Sequence, residues 1–148
     1  VKSFSPRFRE EGAGAPVEGP AAPREAPDPA ARGAVAYRRA GCAGCHGARG
    51  AGDGSSAPTL RRDSGDPIRP RPFSRHLFLR GASAAELWLT LQTGLDGAPM
   101  PSYAVLPPDE LWAVAAHVRE LAGPPPGPAA RARDPEEALG YRIDVEER

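Results

Sequence analysis

The feature that most constrains this chain is its cysteine usage. There are only two cysteines, Cys42 and Cys45, three residues apart and followed directly by His46. Two cysteines allow at most one disulfide, and at this spacing it would close no loop worth stapling. A disulfide scaffold is therefore excluded, and the pair points to redox, metal or haem chemistry. The chain has 148 residues, room for one compact domain plus tails. It carries 19 basic and 19 acidic residues, so its zero net charge gives no reason to expect nucleic acid or an anionic membrane as partner. No apolar run approaches the roughly 20 residues of a membrane span.

Nineteen prolines and 17 glycines exceed ordinary usage, and ten of the prolines fall in residues 1–27 and 124–148. Residues 1–27 mix Pro, Gly, Ala and Glu without a helix or strand period and read as an extended linker. Only Val1-Lys2-Ser3-Phe4-Ser5-Pro6-Arg7-Phe8 within them has side chains suited to docking. Residues 124–148 open with Pro-Pro-Pro-Gly-Pro and end acidic, the pattern of a mobile tail with a short helix at 135–139. The chain opens without Met or an export signal, and is read as a processed protein or as part of a longer one.

Between these ends, residues 28–123 carry three helical patterns. Asp28 is an N-cap with Pro29 in the first helical position, and Gly41 is the stop. Ser83-Ala84-Ala85-Glu86 is a capping box; Leu87 and Leu91 share a face, and Gly94 ends that helix. Pro108, Asp109 and Glu110 open the third, where the carboxylates complement the helix dipole. Its apolar positions Leu111, Val114, Ala115, Val118 and Leu121 follow the helical period until Gly123 and Pro124. About forty residues between the first two helices lack any period, and such a stretch in a compact domain needs something to pack on.

Cys42-Ala43-Gly44-Cys45-His46 is the attachment pattern for c-type haem. Two thiols add across the two porphyrin vinyl groups, and the next residue, His46, then offers a ring nitrogen to the iron. A thioredoxin-like dithiol would follow a strand, and no strand pattern precedes Cys42. A zinc site would require His76 and His117 to converge on the cysteines, since His46 is poorly placed beside Cys45 to share their metal. The opposite face of the iron needs its own ligand. Soft thioether sulfur suits an electron-carrying haem, and the single methionine, Met100, sits in Gly94-Leu95-Asp96-Gly97-Ala98-Pro99-Met100-Pro101-Ser102-Tyr103, where prolines stiffen a loop between two helices. His76 and His117 are the lesser candidates. With both axial positions filled there is no seat for O₂ or peroxide. The rival reading is a haem-based sensor or peroxidase-like enzyme whose Met100 is displaceable.

These residues resemble the class I cytochrome c family, bacterial periplasmic type, over 28–123. The likeness rests on Gly33 and Tyr37, Cys42-x-x-Cys45-His46-Gly47, Pro58-Thr59-Leu60, the Met100 loop and the closing amphipathic helix. It implies an all-α, cytochrome c-like fold, three main helices around one covalently bound haem c, with disordered Pro/Gly-rich termini. It implies single-electron transfer between redox protein partners in the periplasm or another exported location, and a carrier rather than an enzyme, alone or as part of a larger oxidoreductase. In the family the first and last helices cross where a glycine meets an aromatic residue. Gly33 is the glycine here, and Tyr37 and Trp112 are the aromatic candidates; His117 before Val118 and Arg119 departs from the usual pattern, as a helix-packing or surface residue. The opening eight residues resemble the segment joining haem domains in tandem cytochromes c, which implies a second haem domain upstream. Six arginines (61, 62, 69, 71, 75 and 80) face only Asp63 and Asp66 within 61–80. One or two of them are expected to pair with haem propionates, and a patch of this sign at the haem edge would attract an acidic partner.

Overall fold

The computed structural model describes Gly19, residues 21–23 and residues 27–125. Most of the expected linker and tail, including the short helix expected at 135–139 and the opening eight residues, lies outside the described residues. Gly19 is an informative exception. A Cβ built on it would stand 2.8 Å from the indole of Trp88, so this part of the extension lies against the folded domain.

The described residues form helices α1 (Pro29–Arg39), α2 (Cys42–His46), α3 (Ala84–Thr93) and α4 (Pro108–Ala122), with 3-10 turns at Ala57–Thr59 and Phe73–Arg75. No strand occurs among them; two isolated bridges, Arg61 with Pro67 and Leu95 with Met100, pin loops. The three expected helices are present with their expected signals. Asp28 Oδ1 accepts from the Ala31 N–H at 3.0 Å. Ser83 and Glu86 exchange both capping-box bonds, at 3.2 and 2.9 Å. Gly94 and Gly123 cap the last two helices with φ of 71° and 70°. The fourth helix, α2, is the cysteine–histidine motif itself, set off from α1 by Gly41 at φ 78°.

The core lies between α1 and α4, which make the most extensive helix contact. From α4, Leu111, Val114 and Ala115 are fully buried, and they face Ala36 and Tyr37 of α1. The crossing is close because Gly33 has no side chain: a Cβ there would stand 1.9 Å from the Ala113 carbonyl oxygen and 2.8 Å from His117 Cβ. Arg32–Asp109, at 3.1 Å, and Arg39–Glu110 bridge the same two helices at the surface, where such pairs contribute about 1 kcal/mol at most. α3 packs its Leu87, Trp88 and Leu91 on the other side of α4.

Of the two aromatic candidates, Tyr37 lies at the crossing and Trp112 does not, and His117 packs there as a helix-packing residue. Tyr37 meets His117 edge-on at 5.3 Å and 70°, whereas Trp112 stacks on Trp88 at 5.7 Å and 26°. The physical reason is helical register. His117 lies four residues beyond Ala113 and so on the face turned to Gly33, while Trp112, one residue before Ala113, is rotated toward α3.

Gly33→Ala tests the crossing. In an open helix this change stabilises, by roughly 0.5–1 kcal/mol. Here the added methyl meets a backbone carbonyl, and the denaturation midpoint of the haem-loaded protein is expected to fall by the equivalent of about 1–3 kcal/mol. A gain in stability would show that the helices do not touch there.

Candidate haem-attachment site

α2 is short, and its carbonyls would be left unpaired at its end. The following loop meets them. The N–H groups of Ser56, Gly54 and Gly52 donate to the carbonyls of Gly44, Cys45 and His46 at 2.8, 3.2 and 2.9 Å. So close a wrap requires glycine: a Cβ on Gly54 would stand 2.2 Å from the Gly44 carbonyl oxygen. α1 holds the motif from the other side, where the buried Tyr37 hydroxyl donates to the Gly47 carbonyl at 2.8 Å. Cys42 and Cys45 are therefore displayed one helical turn apart on a rigid, internally satisfied turn, both as free thiols.

Burial shapes the chemistry of this group. It pushes the Cys42 thiol pKa up and holds the His46 imidazole below its usual range, which favours the neutral ring with a lone pair to give. His46 Nδ1 is sealed from solvent without a hydrogen-bond partner. A buried polar nitrogen left unpaired is uncommon, and a redox or ligand-binding role is one of its physical explanations. Next to Cys42 lies the Tyr103 hydroxyl, whose pKa is pushed up to about 12, first by burial and then by the neighbouring thiols.

Tyr103 belongs to the Met100 loop, so its position against Cys42 brings that loop to the motif. The loop is pinned along its length. Leu95 N–H donates to the Met100 carbonyl at 3.0 Å and Tyr103 N–H to the Leu91 carbonyl at 2.8 Å. Ser102 Oγ donates to the Gln92 carbonyl at 2.6 Å. Arg80 donates to the Gly94 carbonyl at 3.2 Å and also reaches the Thr93 hydroxyl. Gly94 must be glycine here, because a Cβ would stand 2.7 Å from both the Met100 carbonyl oxygen and the Ser102 nitrogen. Met100 is half-buried and packs against the core cluster that includes Cys42 and Phe73.

The two other histidines are engaged elsewhere. His76 Nε2 bonds the Ala122 carbonyl at the end of α4 at 3.1 Å, and His117 packs at the helix crossing. No group of three or more His, Cys, Asp or Glu side chains among the described residues could hold a bare metal ion, and His76 and His117 do not converge on the cysteines. Of the six arginines, Arg71 donates to the Leu77 carbonyl at 3.3 Å and Arg80 to the α3 terminus. Those two brace loops, while Arg61, Arg62 and Arg69 are exposed. Tyr103, Phe73 and the Gly52–Gly54 wrap are site features that the sequence alone does not announce as such. The alternation of Gly47, Gly50, Gly52 and Gly54 was the available signal for the wrap.

Two thiols one turn apart, a neutral buried imidazole with an unpaired nitrogen and a fixed methionine loop fit a haem attached through sulfur. The comparisons agree: the family model for cytochrome c matches residues 30–122, and the chain belongs to the cytochrome c family. It is a haem protein of the electron-transfer class, with haem c attached covalently and Cys42 and Cys45 in the attachment positions. Among solved structures, a chain of a Kuenenia stuttgartiensis reducing HAO-like protein complex is 35% identical with a TM-score of 0.75. The alignment covers 82% of this chain and 56% of that one, so this chain spans little more than half of that relative. No curated protein matches. No helix among the described residues is long and apolar enough to cross a membrane.

The raised Tyr103 pKa has a consequence in base. The folded protein keeps this proton up to about pH 12, whereas an unfolded tyrosine releases it near 10.0. Between those values the unfolded state binds fewer protons, so stability falls as pH rises from 10 toward 12. Tyr103→Phe should flatten this decline in denaturation midpoints measured across that range. Parallel decline in the two proteins would mean that Tyr103 is not buried as described.

Proposed function

We propose that this chain is a single-electron carrier whose covalently attached haem is ligated by His46 and Met100, with Cys42 and Cys45 forming the thioethers. The observation that carries the reading is the meeting of Tyr103 and Cys42, which brings the methionine loop against the attachment turn. The haem supplies a one-electron iron couple. The protein's part is to hold and tune it. Burial disfavours the charged imidazole of His46 and so favours the neutral ring that can serve as a ligand. The bonds from Gly94, Leu95, Ser102 and Tyr103 hold the Met100 loop in one conformation, so that little rearranges between oxidation states. A thioether ligand favours the reduced state relative to a second imidazole.

The functional unit is the haem domain over residues 28–123, with 1–27 as an extension or linker and 124–148 as a tail. Its partners are redox proteins, and its place is the periplasm or another exported compartment, as is typical of the family. The similarity to a chain of a reducing HAO-like complex supports a role as the electron-transfer part of a larger oxidoreductase assembly. The exposed Arg61, Arg62 and Arg69 suit an acidic partner surface.

Absorption spectroscopy of Met100→Ala tests the ligation. The wild-type ferric protein is expected to show the weak far-red band of thioether-ligated haem and, when reduced, to resist CO. The variant should lose the band, bind CO and have a lower reduction potential. Ready CO binding by the reduced wild type would favour a sensor or peroxidase-like protein instead.

A further inference from the structure

Gly19 is the point at which the N-terminal extension meets the folded domain. A Cβ on it would stand 2.8 Å from both Cε3 and Cζ3 of Trp88, so the glycine lies directly on the six-membered ring of the indole. That ring cannot yield to a larger residue. Trp88 is buried, at 4% exposure. Its Nε1 donates to the Pro108 carbonyl at 3.4 Å, and its ring stacks on Trp112. Ala21, Ala22 and Pro23, which follow Gly19, are exposed, so the extension runs there over the outside of the domain.

The indole beneath the glycine sits on a seam between two helices. Trp88 belongs to α3, and Pro108 and Trp112 belong to α4. Among the described residues, α4 is the one helix with which α3 makes an extensive contact. α3 has 10 residues, too few to be stable without its packing. One turn beyond Trp88, its carbonyls carry the methionine loop: Leu91 accepts from the Tyr103 N–H and Gln92 from Ser102 Oγ. Loosening α3 on α4 therefore loosens the loop, because elements with little packing open first.

We propose that the ring of Trp88 is an interaction surface whose occupant is this chain's own extension at Gly19. The extension acts there as a strap that holds α3 on α4 and so keeps the Met100 loop in place. The strap itself rests on the Gly19 contact; its effect on the haem rests on the ligation by Met100 proposed above.

The test uses the haem-loaded full chain as wild type, Gly19→Val and Ala22→Val. Imidazole is added to the ferric proteins, and loss of the far-red band times the release of Met100. At saturating imidazole, opening of the loop sets the rate, not encounter with the ligand. Gly19→Val drives a side chain into the indole and is expected to open roughly fivefold faster, the factor to which about 1 kcal/mol corresponds. Ala22→Val adds bulk at an exposed position of the same extension and should match wild type. Equal rates in Gly19→Val and wild type, or equal acceleration by both substitutions, would overturn the strap. A wild type without the far-red band would overturn the ligation by Met100 instead. The strap is then judged by NMR of the reduced protein: Gly19 Hα must show dipolar contact with Trp88 Hε3 and Hζ3, and absence of that contact refutes the proposal. Should Gly19→Val not load haem, Gly19→Ala, which adds the methyl alone, is read in the same way.

Discussion

The close crossing of α1 and α4 at Gly33 is the contact on which the other arrangements depend. With no Cβ between them, the helices approach until Gly33 lies on the Ala113 carbonyl, and the buried faces of Leu111, Val114 and Ala115 close over Ala36 and Tyr37. From the same helix the Tyr37 hydroxyl donates to the Gly47 carbonyl and holds the end of the attachment turn. The same crossing places His117 against Tyr37, as a helix-packing residue. A domain of about a hundred residues buries a modest core, and here much of that core is invested in orienting five residues.

From that turn the structure builds outward by satisfying backbone groups. Three carbonyls of α2 are taken by the N–H groups of the glycine-rich loop, that loop admits Phe73 at Gly50, and Phe73 packs on His46. On the other side, α3 ends at Gly94 and feeds the pinned Met100 loop, whose Tyr103 returns to Cys42. The long irregular stretch between α1 and α3 is thus organised by hydrogen bonds and aromatic contacts with the motif at their centre.

The legible parts of the sequence were those governed by local chemistry. Asp28-Pro29, Ser83 with Glu86, and Pro108-Asp109-Glu110 announce helix starts because capping and dipole effects act within one turn. The cysteine–histidine spacing is equally local, and the family to which the chain belongs was recognisable from it. Contacts set by the crossing of distant elements were not legible. Nothing near Trp112 says that it turns to Trp88 and away from the crossing, and nothing near Arg71 or Arg80 says that each braces a backbone carbonyl. Phe73 lies where no periodicity exists, so its stacking on His46 could emerge only from the folded chain. Reading residues 1–27 as linker likewise gave no sign that Gly19 lies against Trp88.

The function of the protein depends on haem bonded through sulfur to the α2 turn. Mass spectrometry of the peptide containing Cys42 and Cys45, released by protease from protein matured in a host that assembles c-type cytochromes, tests this directly. One haem that survives acid extraction and is attached through both cysteines is expected. A peptide of unmodified mass with two free thiols would contradict it.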